Sequence, residues 1–378
     1  MKEINVGIVG TKFMGRAHSN AFIDAPYYFD LPAPPVLKAA CGRDASSLEA
    51  FARRFGWQSV ETDWERLVAR DDIDLVDICT SNVTHMPIAV AAARSGKHVF
   101  CEKPIAMNAA EARHMWEAAE EAGITHMVAF NYRRVPAIML ARQLIEAGKI
   151  GEIRHFNAVY YQDWLIDPAF QYVWRHDKQE GGSGAHGDMN AHIVDLARFL
   201  VGEVQAVSGA QEIFIKERKS STGEMLPVTA DDATYFLARF QNGALGSFLA
   251  TRFATGRKNF LRIELFGSRG SLAFNLERLN ELEYFSSEDS DTEQGFRTIL
   301  VTENKHPEIA AWWPPGHIIG WEHTFIHEVK DLLAAIAAQQ PAFPDFFDGL
   351  RCQQVLDAVV KSAGENRWVE IPDLRRTG

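Results

Sequence analysis

The amino-acid sequence predicts an α/β protein of two domains: a doubly wound parallel sheet flanked by helices, then an α+β domain with a large, mostly antiparallel open sheet. Three observations support this prediction. Strand-like and helical patterns alternate through the first third of the chain, a glycine-rich turn follows the first strand directly, and strands separated by tight-turn signals dominate the later part. A chain of 378 residues also suits two domains better than one.

The first domain is predicted at residues 1–130, where short β-rich apolar runs alternate with amphipathic stretches of helical period. Strands are expected at residues 4–10, 36–42, 74–80 and 98–101. Helices are expected at residues 16–25, 45–55, 85–95 and 109–122. The prolines and aromatic residues of 26–35 predict an ordered loop before the second strand. This alternation indicates βαβ units and therefore a parallel sheet with helices on both faces.

The second domain is predicted at residues 131–378, where the strands become longer and turns separate them. A helix at 137–147, a strand at 152–162 and a glycine-rich stretch leading into a helix at 181–200 are expected to precede strands at 234–240, 244–253, 260–266 and 271–275. Asn242 and Gly243 predict a hairpin, because both residue types accept positive φ. Gly267 to Gly270 marks a second turn. The run 244–253 is apolar on both faces, so we expect a homodimer or homotetramer formed through this sheet.

Composition and charge narrow the possible partners. Acidic residues outnumber basic ones by 50 to 39, giving a net charge of −11 that disfavours nucleic acid as a partner. The sequence shows no export leader and no apolar run long enough for a bilayer, which predicts a soluble cytoplasmic protein without membrane contact. Four widely spaced cysteines without a paired metal-type motif predict reduced core thiols and no metal site.

The first motif with chemical content is the glycine-rich turn after the first strand. Gly10 would allow the tight turn and Gly15 the close packing of helix on strand, and the helix N-terminus would bind phosphates. Lys12 stands where the second glycine of this motif is usual, and its ammonium could pair with a phosphate. Phe13 and Met14 belong to the same turn. A plain glycine turn is the alternative, but the position in the first βαβ unit favours a Rossmann dinucleotide-binding domain.

The residues after the second strand bear on the choice between NAD and NADP. Asp44 could bind the adenosine ribose hydroxyls of NAD, whereas Arg43 could accommodate the 2′-phosphate of NADP. Both could equally be the solvated start of a helix. The sequence leaves the cofactor open as NAD or NADP.

Two further motifs carry groups suited to acid–base chemistry. Glu102, Lys103 and Pro104 end the strand at 98–101, where open α/β sheets bind ligands, and proline restricts the residue before it. Asp188 and His192 follow a glycine-rich stretch at i and i+4, which predicts one face of a helix. Histidine is the usual group for taking a hydroxyl proton near neutral pH. Considered singly, each motif is more often a surface pair or a helix cap.

These features in this order resemble the Gfo/Idh/MocA oxidoreductase family, which includes glucose-fructose oxidoreductase and inositol dehydrogenases. The most specific parts are the Glu102-Lys103-Pro104 run and the Asp188–His192 helix, and the Asn131-Tyr-Arg133 run also looks familial. Segments 26–35, 126–134 and 162–164 are most similar to the branch of the family that acts on anhydrosugars. The resemblance covers essentially the whole chain.

The resemblance implies roles for individual residues. Lys103 would hydrogen-bond the reacting hydroxyl, His192 would be the general base, and Asp188 would orient the sugar and the histidine. The nicotinamide and ribose side of the cofactor would be lined by Thr80, Asn82, His85 and Glu102. Sugar contacts, or equally structural roles, are implied for Tyr132, Asp163, Trp164, Arg175 and Lys178.

Two departures from the family pattern bear on the substrate. His186 and Asn190 occupy positions that are usually apolar or small. A further cation, from His186 or from Arg175 and Lys178, would suit an anionic or heavily hydroxylated ligand.

Three functions fit this sequence. The leading prediction is a dehydrogenase that moves hydride between a carbohydrate hydroxyl, in a cyclic sugar, anhydrosugar, inositol or glycoside, and NAD or NADP. A redox-neutral glycosidase, which oxidises a ring hydroxyl transiently and eliminates the aglycone, would need the same three catalytic groups. A non-catalytic sugar or nucleotide sensor is the third, and the intact set of Lys103, Asp188 and His192 weighs against it.

Overall fold

The structure, a computed structural model, describes residues 3–374, and the chain forms two compact units. The first unit comprises Met1–Arg134 and Gly320–Leu350, and the second comprises Val135–Ile319 and Arg351–Gly378. The sequence placed a single domain boundary at 130 to 131. It gave no sign that Gly320–Leu350 joins the first unit, because an amphipathic pattern shows that a helix has a buried face but does not identify the element on which that face packs.

The first unit is built on a six-stranded parallel sheet. Its strands are β1 (Ile4–Val9), β2 (Pro35–Cys41), β3 (Ser59–Glu61), β4 (Leu75–Ile78), β5 (His98–Cys101) and β6 (His126–Val128). Their order is β3-β2-β1-β4-β5-β6, with every neighbouring pair parallel. The order reverses between β1 and β4, and ligands of doubly wound sheets bind at such a switch point. The predicted Rossmann architecture is confirmed; β3 and β6 are too short for a sequence pattern to reveal.

Helices follow the strands of this sheet. They are α1 (Phe13–Tyr28), α2 (Ala45–Phe55), α3 (Trp64–Val68), α4 (His85–Arg94) and α5 (Ala109–Ala122). The prediction that a loop begins at Pro26 was wrong, because α1 continues through Pro26 to Tyr28. Phe22 and Ala25 are fully buried in the last turns of α1, and Phe29 N–H closes the helix on the Ala25 carbonyl at 3.0 Å. Core packing there outweighs the single hydrogen bond that proline removes.

The second unit is built on a nine-stranded sheet, with helices α6 (Pro136–Glu146), α7 (Lys178–Gly181) and α8 (Ala191–Leu200). In chain order the strands are β7 (Ile153–Tyr161), β8 (Val204–Glu212), β9 (Glu217–Lys219), β10 (Met225–Pro227), β11 (Ala233–Phe240), β12 (Leu245–Thr251), β13 (Phe260–Gly267), β14 (Gly270–Asn275), β15 (Glu281–Ser286), β16 (Arg297–Leu300) and β17 (Val369–Glu370). The large sheet runs β16-β15-β14-β13-β7-β12-β11-β8-β17, while β9 and β10 form a separate ribbon. β7 and β12 pair in parallel and the other neighbours are antiparallel, which confirms the predicted fold class.

The hairpin between β11 and β12 forms as predicted, with a different turn geometry. Gly243 has a φ of 88°, whereas Asn242 is not among the residues of 3–374 with positive φ. The Asn242 side chain instead accepts a hydrogen bond from Ala244 N–H at 3.1 Å and donates one to the Val201 carbonyl at 3.0 Å. These local hydrogen bonds fix the asparagine, so only the glycine needs the left-handed conformation.

The two faces of the β11–β12 hairpin differ in burial. Phe236 and Phe248 stack on one face with ring centroids 4.4 Å apart and are almost fully buried. On the opposite face Tyr235 and Leu237 are each 54% exposed, and Leu245 is 50% exposed. Both faces of the hairpin therefore carry apolar residues, as the sequence predicts.

Two long helices precede the last strand, α9 (Glu322–Ala338) and α10 (Phe346–Glu365). α9 packs against α1, where Phe325 lies on the His18 ring and His327 on the Phe29 ring. Within residues 3–374 none of the helices combines the length and the hydropathy needed to cross a membrane. All four cysteines are buried and free.

Candidate active site

The turn after β1 has the shape of a phosphate-binding cradle. Gly10 has a φ of 108°, and a Cβ there would lie 2.4 Å from the Cys79 carbonyl oxygen. A Cβ on Gly15 would lie 2.1 Å from the Gly10 carbonyl oxygen. Only glycine fits at these two positions. α1 starts at Phe13 and has no acidic residue in its first turn, so its N-terminal N–H groups suit an anion.

Lys12 takes the position of the motif's middle glycine without filling the turn. It is the N-cap residue of α1, its side chain makes no capping hydrogen bond, and it is exposed. Phe13 is 66% exposed and stacks on Trp321 with ring centroids 5.4 Å apart, while Met14 is half-buried. The lysine is therefore placed where an ammonium can reach a phosphate, and the turn itself stays open.

Asp44 has a structural role just after β2. It is the N-cap of α2, and its Oδ1 accepts a hydrogen bond from Ser47 N–H at 2.8 Å. The hydrogen bonds from Ser47 lower the pKa of Asp44 below its usual value. Arg43 beside it is exposed. This geometry matches the helix-start alternative, and it leaves both residues accessible to a ribose or a 2′-phosphate.

His85 holds together the two segments that follow β4 and β5. It is fully buried, with Nδ1 3.0 Å from the Pro104 carbonyl and Nε2 3.3 Å from the Thr80 carbonyl. Burial lowers the pKa of His85, so the ring is neutral. The Thr80 hydroxyl oxygen also accepts a hydrogen bond from the Thr84 hydroxyl at 2.7 Å, and Asn82 is buried in the short turn between these two threonines. These residues shape the carboxyl edge of the sheet at the switch point.

Lys103 is carried by a rigid turn at the carboxyl end of β5. Glu102 is buried, its N–H donates to the Ile78 carbonyl at 2.9 Å, and its Oε2 accepts from Lys103 N–H at 3.1 Å. Lys103 is half-buried and is joined to Pro104 by a cis peptide bond. The second oxygen of Glu102 lies 3.0 Å from Nε2 of His18, a residue that the sequence analysis missed.

Asp188 and His192 do not share the regular helix that the sequence predicts. Asp188 lies in a π-helical turn, His186–Asn190, and His192 is the second residue of α8. The Asp188 N–H reaches the Gly184 carbonyl at 3.2 Å. Turns of this kind recur at functional sites because they redirect a side chain without ending the helix.

The glycine-rich stretch before this turn is explained by Asp231. Asp231 Oδ1 accepts from Gly184 N–H at 2.6 Å, and its Oδ2 accepts from His186 N–H at 2.8 Å. A Cβ on Gly184 would lie 1.8 Å from the Asp231 carbonyl oxygen. Asp231 thus caps the turn that carries Asp188, and this requires backbone contact that only glycine permits. The sequence offered no signal for it.

Arg252 fixes the Asp188 carboxylate. It is almost fully buried at the end of β12, and its Nη2 donates to Asp188 Oδ2 at 2.9 Å. Arg175 Nε lies 4.0 Å from the same oxygen. The two guanidinium groups stack over indoles, Arg252 at 5.2 Å over Trp164 and Arg175 at 4.4 Å over Trp174. Charge-assisted hydrogen bonds and cation–π stacking make this a well-ordered cluster.

His192 lies beside a hydrogen-bonded wall on β7. Its ring is 6.0 Å from that of Tyr160, whose hydroxyl donates to Asn259 Oδ1 at 2.7 Å. Gln162 donates to the same oxygen at 2.9 Å and accepts from Trp164 Nε1 at 2.9 Å. The wall is therefore rigid and rich in polar atoms, which suits a hydroxylated ligand.

Two of the predicted sugar contacts, His186 and Asp163, make hydrogen bonds within the second unit. His186 is buried, with Nε2 2.9 Å from the Leu356 carbonyl and Nδ1 3.0 Å from Asn190 Nδ2. Burial lowers the pKa of His186, so it supplies no cation. Asp163 is held by Lys258 Nζ at 2.7 Å.

Lys178 and Tyr132 have surroundings of their own. Lys178 lines a cavity of about 260 Å³ with Lys216, Glu212 and Asp231, and Asp188 is not among its lining residues. Tyr132 belongs to the first unit, where it is buried in a short turn, Asn131–Arg134. Of the predicted sugar contacts in the second unit, the structure groups Trp164 and Arg175 with Asp188.

A parallel sheet with this strand order and a glycine turn at its switch point is that of NAD-binding oxidoreductases. The family model described as an oxidoreductase family with an NAD-binding Rossmann fold matches residues 4–130. The model of the GFO/IDH/MocA C-terminal domain matches residues 138–273. The chain belongs to the Gfo/Idh/MocA oxidoreductases, and the predicted resemblance is confirmed.

Individual relatives cover the whole chain. The sequence is 41% identical to levoglucosan dehydrogenase of Pseudarthrobacter phenanthrenivorans over 99% of this chain and 100% of the relative. It is 27% identical to inositol 2-dehydrogenase of Rhizobium meliloti over 97% of this chain and 99% of the relative.

Solved structures agree with this assignment. An oxidoreductase domain protein from Kribbella flavida is 52% identical, with a TM-score of 0.96 over 99% of this chain and 100% of that chain. A levoglucosan dehydrogenase in complex with NADH and levoglucosan is 42% identical, with a TM-score of 0.96 and the same coverage. The protein is thus an NAD(P)-dependent sugar dehydrogenase of this family.

Proposed function

We propose that the protein oxidises a ring hydroxyl of an uncharged cyclic carbohydrate with NAD as acceptor. Among such carbohydrates, an anhydrosugar is the proposed substrate. The observation that carries the proposal is the cluster around Asp188, in which Arg252 fixes the carboxylate one turn before His192. The identity of 41% to levoglucosan dehydrogenase over the whole chain supports an anhydrosugar as the substrate. His186 adds no cation to the cluster, and the guanidinium groups of Arg252 and Arg175 both face the Asp188 carboxylate.

The cofactor would be held by the first unit. Gly10 and Gly15 leave room for the pyrophosphate against the start of α1, and Lys12 is placed to neutralise a phosphate. The segments after β4 and β5, with Thr80, Asn82, His85 and Glu102, would line the nicotinamide and ribose. A nicotinamide held by these residues would supply the acceptor for the hydride of the substrate carbon.

The protein's own groups would handle the hydroxyl proton. Lys103 hydrogen-bonds the hydroxyl oxygen and stabilises the negative charge that develops on it. The imidazole of His192 accepts the hydroxyl proton as general base. Asp188 binds a neighbouring sugar hydroxyl and orients the histidine, with its own carboxylate fixed by Arg252. The wall of Tyr160, Gln162 and Trp164 would hold the ring of the sugar.

The choice of NAD over NADP rests on the end of β2. Asp44 is accessible and keeps its negative charge, which suits ribose hydroxyls and repels a 2′-phosphate.

An assay of two signals tests the proposal. Purified protein is mixed with NAD⁺ or NADP⁺ and a panel of anhydrosugars, inositols, hexoses and glycosides, and both reduced nicotinamide and released aglycone are followed. We expect NAD⁺ reduction with an anhydrosugar and weaker reduction of NADP⁺. Aglycone release without net reduction would instead establish the redox-neutral glycosidase, and binding of sugar without either signal would establish a sensor.

We also propose that the open face of the large sheet pairs with a second copy of the chain, as a dimer or tetramer. Tyr235, Leu237 and Leu245 give this face an exposed apolar surface of the kind that marks interfaces. Light scattering at micromolar concentration is expected to give an oligomer that Leu237→Glu weakens. A wild-type protein that is strictly monomeric would contradict the proposal. The four buried, free cysteines support a reducing, cytoplasmic location.

A further inference from the structure

A buried histidine on α1 lies between two carboxylates of the parallel sheet. His18 is fully buried, and its Nδ1 is 2.9 Å from Asp77 Oδ1. On the other side of the ring, Nε2 is 3.0 Å from Glu102 Oε1. Carboxylates only accept hydrogen bonds, so both ring nitrogens must carry a proton for both contacts to form. The arrangement is therefore that of an imidazolium donating to two carboxylates.

The surroundings of His18 support this protonation state. Burial disfavours the charged ring, but the charge of Asp77 and the hydrogen bond to it raise the pKa of His18 well above its usual value. Phe100 stacks on the ring at 4.8 Å and Phe325 lies at 5.4 Å, so water is excluded. Cys79 and Cys101 are further titratable groups near the ring, and burial raises the pKa of both, so they stay thiols.

A metal ion is a poorer explanation of the same cluster. His18, Asp77 and Cys79 do bring three ligand atoms within 4.8 Å of one another. However, Nδ1 of His18 and Oδ1 of Asp77 are separated by 2.9 Å, the length of a direct hydrogen bond. Two such ligands on a tetrahedral zinc would be about 3.3 Å apart, given zinc–ligand bonds of about 2.0–2.1 Å.

Glu102 connects this buried pair to the lysine of the proposed chemistry. Its Oε1 faces His18, and its Oε2 accepts from the backbone N–H of Lys103. The carboxylate is thus fixed at both oxygens, and its orientation sets the turn from which Lys103 projects. Asp77 fixes the histidine from the far side.

We propose that His18 is a positioning residue for Lys103, acting through Glu102 from the core of the first unit. The inference rests on the proposed function, because it gives Lys103 the role of binding the reacting hydroxyl. Without the imidazolium, Asp77 and Glu102 are two buried carboxylates that lack their common donor, so the Glu102 side chain leaves its place. The turn that carries Lys103 then loses its anchor, and small displacements of a catalytic group are costly in rate.

A double-mutant cycle tests this inference. His18→Gln, Lys103→Ala and the double variant are compared in kcat, KM and NADH affinity. We expect His18→Gln to lower kcat by about 10–100-fold, the usual effect of losing a group that orients a catalytic one, and to weaken NADH binding by less than this, because Glu102 is one of four residues proposed to line the cofactor. Lys103→Ala alone and the double variant should have the same kcat, because His18 acts only through the lysine.

The outcomes separate the inference from the proposed function. A double variant whose loss is the product of the two single losses would show that His18 acts independently of Lys103 and would overturn the inference. So would a wild-type kcat in His18→Gln. If Lys103→Ala itself keeps the wild-type kcat, the proposed function fails instead. If His18→Gln does not fold, Asp77→Asn is used in its place, because it removes the charge at the other end of the Asp77–His18–Glu102 hydrogen-bond series. It is expected to show the same non-additivity with Lys103→Ala.

His327 provides the matched control. It is another fully buried histidine of the first unit, with Nδ1 3.0 Å from the Arg134 carbonyl, and it has no part in the Glu102 turn. His327→Gln is expected to lower the midpoint of thermal unfolding and to leave kcat unchanged. An equal loss of kcat in both histidine variants would attribute the His18 effect to general destabilisation and contradict the inference.

Discussion

Replacement of Lys103 or His192 by alanine is expected to lower kcat by about 10²–10⁴-fold, the range that a positioned general acid or base supplies. Lys103 would lose the cation that stabilises negative charge on the hydroxyl oxygen, and His192 would lose the base that takes its proton. Initial rates with the substrate identified in the assay above measure the effect, and NADH titration and thermal unfolding measure binding and stability. Both of these should change little.

Lys97→Ala is the control for the lysine. Lys97 lies just before β5, at the opposite end of the strand that leads to Lys103, and its Nζ donates to the Arg70 carbonyl at 2.8 Å. Lys97→Ala removes the same ammonium group as Lys103→Ala, but from the end of the strand opposite the carboxyl edge of the sheet. If activity in the Lys103 or His192 variant fell only in proportion to lost folded protein, a structural role would replace the catalytic one.

Gly10→Ala is expected to weaken NADH binding by about 10–100-fold or more. A side chain at a φ of 108° carries backbone strain of about 1–3 kcal/mol, which the turn can relieve by leaving the conformation that binds the pyrophosphate, and every 1.4 kcal/mol needed to restore that conformation is about tenfold in affinity. The added Cβ would also meet the Cys79 carbonyl oxygen at 2.4 Å, which forces the turn to move. Fluorescence titration with NADH measures the loss.

Gly56→Ala separates strain from the loss of the cradle. Gly56 ends α2 with a φ of 78°, and an added Cβ would have no atom within 4 Å. It should therefore lower stability without changing the affinity for NADH. Normal NADH binding by Gly10→Ala would show that the turn after β1 does not hold the cofactor.

Much of the first unit could be predicted from local pattern. Apolar runs such as β1 and β5 and the glycines after β1 carry their own signals, because strand burial and tight turns depend on neighbouring residues. Asp188 and His192 were also visible as a spaced pair. The π-helical turn between them was not, because it depends on the cap that Asp231 provides from a distant loop.

What the sequence could not reveal is which polar residues meet in the core. Arg252 reads as an ordinary charge at the end of a strand, and His18 as one polar residue on an amphipathic helix. Their roles follow from the register of β12 and from the packing of α1 on the sheet. His186 is the converse case: a polar residue beside the proposed catalytic pair predicts a substrate contact, while its ring hydrogen-bonds the Leu356 carbonyl in the core.

The return of Gly320–Leu350 to the first unit has a consequence for biosynthesis. α1 lacks the partner for its outer face until α9 has left the ribosome, because Phe325 and His327 supply that contact. At about 5–20 residues per second, translation from Arg134 to Leu350 takes about 10–40 s. During this interval the nascent sheet of the first unit exposes apolar surface that a chaperone would have to shield. The unit nearest the N-terminus is therefore among the last to be completed.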